Sequence, residues 1–235
     1  MAATPAGPRA RYRAQVREEI KAVALRQLAE SGVQGVALNA IAREMGMSGP
    51  ALYRYFTGRD ELLHELVRSA YDDAGEAINA VTPGPGPRTT LLALGRAYHA
   101  WALSQPHRYL LIQGPPAPGY TPPADIVARS RYAMGPFVTV FAQGEATEAV
   151  QPVIAEMATW LRTDHTAVDW LRARTDLDPA DPRARCALGG TILAWSHLHG
   201  TVSLEVTGQY TGMGHRAGTL LDVQLGLLAD AFRLT

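Results

Sequence analysis

The segment from Leu38 to Phe56 constrains the fold more than any other part of the chain. Leu38, Ile41, Ala42 and Met45 fall on one face of a helix at three- and four-residue steps. Gly46 interrupts that run, and glycine takes a left-handed backbone without steric cost. Met47 returns to the interior, Ser48 offers the side chain of a helix N-cap, and Leu52 and Phe56 point inward four residues apart. Two short helices, about 38–45 and 48–56, joined by a tight turn are the sequence form of a helix-turn-helix, whose second helix is built to enter a DNA major groove. A helical hairpin inside an ordinary bundle would give the same bare pattern, so the flanking residues decide between the two.

Those flanks favour DNA. Val16, Ile20, Val23 and Leu28 predict a helix over about 11–31, stopped by Gly32. A further helix is expected from about Arg59 to Ala80, its start carrying Asp60 and Glu61, which suit the positive end of the helix dipole. The formal net charge is zero, but residues 1–59 hold nine Lys/Arg against four Glu, a net of +5 that leaves −5 on the remainder. A basic head on an acidic body is a charge layout suited to a nucleic-acid-binding module joined to another domain.

Thr82-Pro83-Gly84-Pro85-Gly86-Pro87 cannot continue a helix and joins head to body. Beyond it, helices are expected at 88–104, 106–112, 124–143, 152–173, 181–206 and 214–233, with Asp181-Pro182 as a cap and first turn. No alternating strand pattern of useful length occurs, so the fold class is all-α. Cys186 is the only cysteine, which excludes an intrachain disulfide and a cysteine-based zinc cluster. No apolar run reaches membrane-spanning length and Met1–Arg13 lacks a secretory core, so a cytoplasmic protein is expected.

The span from about Val16 to Leu63 resembles the Tet repressor family of bacterial transcription regulators. The likeness rests on Ile41-Ala42, Gly46-Met47-Ser48, Leu52-Tyr53-Arg54-Tyr55-Phe56 and Glu61-Leu62. It implies an N-terminal three-helix DNA-binding domain and a larger C-terminal helical bundle for ligand binding and dimerisation. The boundaries expected are a flexible arm at 1–10, the DNA-binding domain with its connecting helix at 11–80, and the C-terminal domain at 81–235. The resemblance also implies that the second short helix reads bases and that Tyr53, Tyr55 and Arg59 contact phosphates. The candidate DNA-binding residues are Arg11, Arg13, Asn39, Ser48, Gly49, Ala51, Tyr53, Arg54, Tyr55 and Arg59. Arg54 suits a bidentate guanine contact or a phosphate, Ala51 a thymine methyl, and Arg11 and Arg13 the backbone or minor groove. Two departures stand out: Ala37 replaces the usual capping Thr or Ser, and Gly49-Pro50 leaves the reading surface poor in polar side chains.

Trp195-Ser196-His197-Leu198-His199-Gly200 resembles the Trp-His-Gly signature of one subgroup of that family. His197 and His199 lie two apart on a helix and cannot chelate together, so a packed histidine is preferred to a metal ligand and no metal or cofactor is expected. Helices 181–206 and 214–233 are apolar on more than one face and suit a homodimer interface, and hence a near-palindromic double-stranded operator. The same helices would also serve as plain core. Tyr98, Trp101, Tyr109, Tyr132, Met134, Phe137, Phe141 and Trp160 are candidates for an effector pocket beneath a bend at Gly135-Pro136, and imply an apolar or aromatic small molecule. Such stripes equally build ordinary core.

An enzyme is disfavoured: no G-x-S-x-G, H-E-x-x-H or Walker A sequence occurs, and no spacing links His99, His107 and Asp164-His165. The function expected is a ligand-responsive repressor released from its operator by an effector. A helical ligand-binding protein with a vestigial DNA-binding head is the alternative that Gly49 and Pro50 keep open.

Overall fold

The computed structural model describes residues 7–113 and 120–235. Its described residues form eleven α-helices and a 3₁₀ turn at Glu148–Val150, with no strand. They divide into two compact units. The first holds the described residues up to Ala70 together with those of His107–Ala124; the second holds Tyr71–Pro106 and Asp125–Thr235.

The first unit contains α1 (Pro8–Gly35), α2 (Leu38–Glu44), α3 (Gly49–Leu52), the first half of α4 (Arg59–Asn79) and α6 (Pro106–Gln113) from His107 onward. Helix α1 begins earlier than the expected arm allows: Pro8 supplies the fixed φ of a first helical turn, so part of residues 1–10 is helical. Residues 1–6 of that arm lie outside the described residues. Gly32, at φ 66°, breaks α1 where the stop was expected. One cluster of buried side chains holds the unit together: Val16, Ile20, Val23 and Leu28 of α1, Ile41 of α2, Leu52 of α3, Phe56, and Leu62, Leu63 and Leu66 of α4. Each contributes about 1.5–3 kcal/mol by burial.

The second unit is arranged around α10 (Pro182–Val206), which packs on α5 (Pro87–Ser104), α7 (Ile126–Phe141), α8 (Gln151–Thr163) and α11 (Ala217–Ala231). The start of α10 is the one expected, with the Asp181 side chain accepting from the Arg183 N–H and Pro182 in the first turn. Small residues along its buried face let large ones approach: a Cβ on Gly190 would lie 2.2 Å from Cδ1 of Phe141.

The helix expected over 152–173 is two helices, α8 and α9 (His165–Arg172), and the break is at Asp164. Its backbone is extended, at φ −128° and ψ 102°. Its carboxylate accepts from the Thr166 N–H at 2.8 Å, the Thr166 hydroxyl at 2.7 Å and the Trp160 indole N–H at 3.0 Å. These bonds to the charged form hold the carboxyl down at about 2. Asp164 thus caps α9 and ties the corner to the end of α8.

In α7, Pro136 has no N–H to offer the carbonyl of Tyr132, four residues earlier. Arg174 Nη2 donates to that carbonyl at 3.0 Å and Asn79 Nδ2 at 3.2 Å, and the helix continues to Phe141.

Candidate nucleic-acid interface

Helix α2 ends in a Schellman arrangement: Met47 N–H donates to Ala42 O at 2.8 Å and Gly46 N–H to Arg43 O at 3.1 Å. Gly46 sits at φ 64°, the left-handed conformation that this closure requires. Ser48 then caps α3, its hydroxyl accepting from the Ala51 N–H at 3.3 Å. No such cap serves α2. Ala37 has no side-chain oxygen to give, and its own N–H is taken by Gln27 Oε1 at 3.1 Å.

The second short helix is more compact than the expected 48–56. Regular α-helix covers only Gly49–Leu52; the chain then tightens, with Arg54 N–H on Ala51 O and Tyr55 N–H on Leu52 O before Phe56 N–H returns to Leu52 O. The end of so short a helix leaves carbonyls without helical partners. Two arginines of α1, four residues apart, supply them. Arg13 Nη2 donates to Arg54 O at 2.8 Å, and Arg17 Nη1 donates to Tyr55 O. The Arg17 guanidinium lies 4.2 Å from the centre of the Phe56 ring and pairs with Glu61 at 3.5 Å and Glu65 at 3.8 Å. Glu61 in turn accepts from the N–H and hydroxyl of Thr57, and its carboxyl is held below the usual range, first by that backbone bond. Sequence reasoning missed Arg17. The i, i+4 spacing of Arg13 and Arg17 was the available signal, since it puts both on one helix face.

Tyr53 and Arg54 are exposed on this element, Gly49, Ala51 and Tyr55 are half-buried, and Leu52 and Phe56 are in the core. Asn39 of α2 is exposed beside the start of α3, its Oδ1 3.8 Å from where a Cβ on Gly49 would stand. Arg11 is exposed on the first turns of α1. Among the described residues, no hydrogen bond or ion pair engages the side chains of Arg11 or Arg54. Arg59 is placed differently from what the resemblance implies: Nε donates to Val36 O at 3.0 Å and Nη2 to Val33 O at 2.6 Å. Two of its three nitrogens therefore close the end of α1.

In the second unit, a cavity of about 360 Å³ is walled by Tyr71, Met134, Trp160, Trp170, Ile192 and Trp195, among others. Of the residues expected at an effector pocket, Met134 and Trp160 line it. Tyr98 and Trp101 are buried on α5, Tyr98 meeting the Trp195 ring edge-on at 5.7 Å. Phe137 and Phe141 are wholly in the core, Tyr109 is buried in the first unit, and Tyr132 is exposed with Arg174 over its ring. Several polar groups on the cavity wall are engaged within the protein. Arg131 donates to the carbonyl and hydroxyl of Thr166, the Trp170 indole to Arg131 O, and the Thr191 hydroxyl to Ala187 O. His199 stacks on Trp195 at 6.0 Å, and burial lowers its basicity and that of His197. Among the described residues no cluster of His, Cys, Asp and Glu is placed to hold a metal, and no helix is long and apolar enough to cross a membrane.

Comparison with known proteins agrees with this geometry. Residues 20–66 match the family described as bacterial regulatory proteins, tetR family, and residues 91–228 match the tetracyclin repressor-like C-terminal domain. The chain is 33% identical over 230 residues to the HTH-type transcriptional regulator Rv1816 of Mycobacterium tuberculosis, covering 94% of each. The crystal structure of the protein SCO4313 superposes with a TM-score of 0.71 at 38% identity, over 95% of this chain and 100% of that one. PfmR of Thermus thermophilus, a TetR family transcriptional regulator, shares the fold with a TM-score of 0.54 at 14% identity, over 90% of this chain and 97% of that one.

Proposed function

The chain belongs to the TetR family of transcription regulators, and from that premise we propose that it works as a homodimeric repressor of a near-palindromic operator, released by an apolar or aromatic effector. The observation that carries the DNA-binding reading is the Ser48-capped helix with its inner side anchored by Leu52 and Phe56 and its outer side presenting Tyr53 and Arg54. Exposed, unpaired Arg54 suits a guanine edge, and the Tyr53 and Tyr55 hydroxyls suit phosphates. Ala51, Asn39 and Gly49 complete the surface. Arg11 and Arg13 extend it from α1, and the remaining guanidinium nitrogen of Arg59 is its contribution to the backbone.

Dimerisation through α10 and α11 is supported by what these helices leave uncovered. Ile192, Ser196, Gly200 and Leu204 are exposed at four-residue steps on α10, and Val223 and Leu227 are exposed four apart on α11. An apolar stripe with small residues in its middle suits close crossing of a symmetry mate. Two-fold symmetry would then present two reading helices to successive major grooves, about 34–36 Å apart.

The effector reading is supported by the aromatic wall of the cavity and by the engagement of Arg131 within the protein. With that cation already satisfied, an uncharged aromatic or apolar molecule loses least on entry. Trp195, of the Trp-His-Gly segment, belongs to that wall. An effector acts only through its difference in affinity for the DNA-competent and DNA-released states.

Selection of bound sequences from random duplex DNA by the full chain tests the proposal. Enrichment of two inverted half-sites, with binding that weakens steeply in salt, is expected. Enrichment of a lone half-site would remove the dimer, and no enrichment would remove the repressor.

A further inference from the structure

A second cavity of the C-terminal unit, about 550 Å³, has a different chemistry. Its wall carries three arginines, Arg162 of α8, Arg172 of α9 and Arg185 of α10, against a single carboxylate, Asp178. Among the described residues none of the three arginines forms an ion pair; Arg162 donates only to the Thr159 hydroxyl, at 3.0 Å. Ala158 and Leu161 supply an apolar floor.

Helix electrostatics accounts for two of these charges and not the third. Arg162 and Arg172 stand in the last turns of their helices, where a cation is favoured by the dipole. Arg185 is the fourth residue of α10, at the positive end, where a cation is disfavoured. Its neighbour Arg183 is balanced by Asp181, at 2.8 Å. Arg185 is half-buried and has no such partner. Arg162 and Arg172 are exposed and Arg185 is half-buried, so three like charges around one cavity raise its positive potential and favour an anion there.

We propose that this cavity is an anion site, separate from the aromatic cavity, that takes a phosphate or phosphate ester of more than one negative charge. Planar guanidinium groups bind such oxyanions through paired N–H donors, and three of them on the wall of one cavity offer more donors than a monovalent ion needs. The site is independent of DNA binding and of the uncharged effector, so its test uses neither.

The test titrates the full chain, without DNA, with inorganic pyrophosphate at constant ionic strength, followed by calorimetry and thermal unfolding. Saturable binding and a concentration-dependent rise in melting temperature are expected. Arg172→Gln and Arg185→Gln should each weaken binding about tenfold or more, while Arg183→Gln and the head variant Arg54→Gln leave it intact. Without pyrophosphate, Arg185→Gln should melt at or above the parent temperature, which a purely structural arginine would not do. Failure to saturate, binding undiminished in Arg172→Gln and Arg185→Gln, or an equal effect from chloride would each overturn the site. Preference for citrate over pyrophosphate would overturn its assignment to phosphate.

Discussion

Arg174 donates a 3.0 Å hydrogen bond to the carbonyl of Tyr132, the group that Pro136 deprives of its helical donor. The same guanidinium reaches Asn79 Oδ1 at 3.3 Å and lies over the Tyr132 ring. Gly135 makes room for it, since a Cβ there would stand 2.2 Å from its atoms. A proline in mid-helix is thus accommodated by a side chain from after α9. Arg174→Gln should destabilise the chain by about 1–2 kcal/mol, the lower part of the range for a deprived carbonyl because Asn79 still donates. In a Pro136→Ala background, where the N–H returns, the same substitution should cost measurably less. A double-mutant cycle in urea reads the coupling, and strict additivity would refute the account.

Gly190 and Phe141 give a packing prediction. Gly190→Ala drives a Cβ into the ring of Phe141 in a core with no slack, and should cost about 1–3 kcal/mol. Phe141→Leu, added to it, should recover part of that loss by removing the ring edge, although Phe141→Leu alone destabilises. Unfolding midpoints of the two single variants and the double variant decide the matter.

Local chemistry made the head legible in the sequence. Gly46 and Ser48 each act on backbone groups within a few residues, so turn and cap could be read without tertiary knowledge. Arg17 was not legible in the same way: its spacing from Arg13 is visible, but the Tyr55 carbonyl it serves lies 38 residues on and reaches it only through folding. In the C-terminal unit the helices were legible and their contacts were not. Trp160 and Trp170 would be about 15 Å apart along one continuous helix. They meet at 6.3 Å because Asp164 turns the chain, and the one local sign of the break was Asp164 itself, a cap residue type set within an apolar periodicity that runs on through it. One helix's apolar stripe likewise does not say which neighbour covers it. Met134 faces the cavity while Phe137 and Phe141 of the same stripe fill the core.

The Asp164 corner carries a pH prediction. Its folded pKa is depressed from 3.8 to about 2, so its contribution is complete above the ordinary value and is lost as pH falls through about 2. Carboxyl NMR should show Asp164 titrating near 2. Asp164→Ala should shift tryptophan emission at neutral pH by freeing the Trp160 indole and loosening the Trp160–Trp170 contact. Ordinary titration near 3.8 would show that the three bonds at this corner do not persist in solution.

The last prediction separates holding the reading element from touching DNA. Arg17 bonds Tyr55 O, lies on Phe56 and pairs with Glu61 and Glu65, so it acts on the duplex only through the element it holds. Arg17→Gln should weaken operator binding about tenfold while leaving the salt slope close to that of the parent. Arg17→Lys should fall between, because a point cation keeps the charge but cannot meet carbonyl, ring and carboxylates together. Arg54→Gln should instead relax base preference at one position if it reads guanine, or reduce the salt slope by about one if it neutralises a phosphate. Glu61 adds a sign. Its depressed pKa means that its support is present above the ordinary 4.5 and declines as pH falls below it. The acid-side loss of head stability should therefore be shallower in Glu61→Gln. An Arg17→Gln variant that bound operator normally, or that lost a full unit of salt slope, would show that the arginine does not work by holding Tyr55 and Phe56 in place.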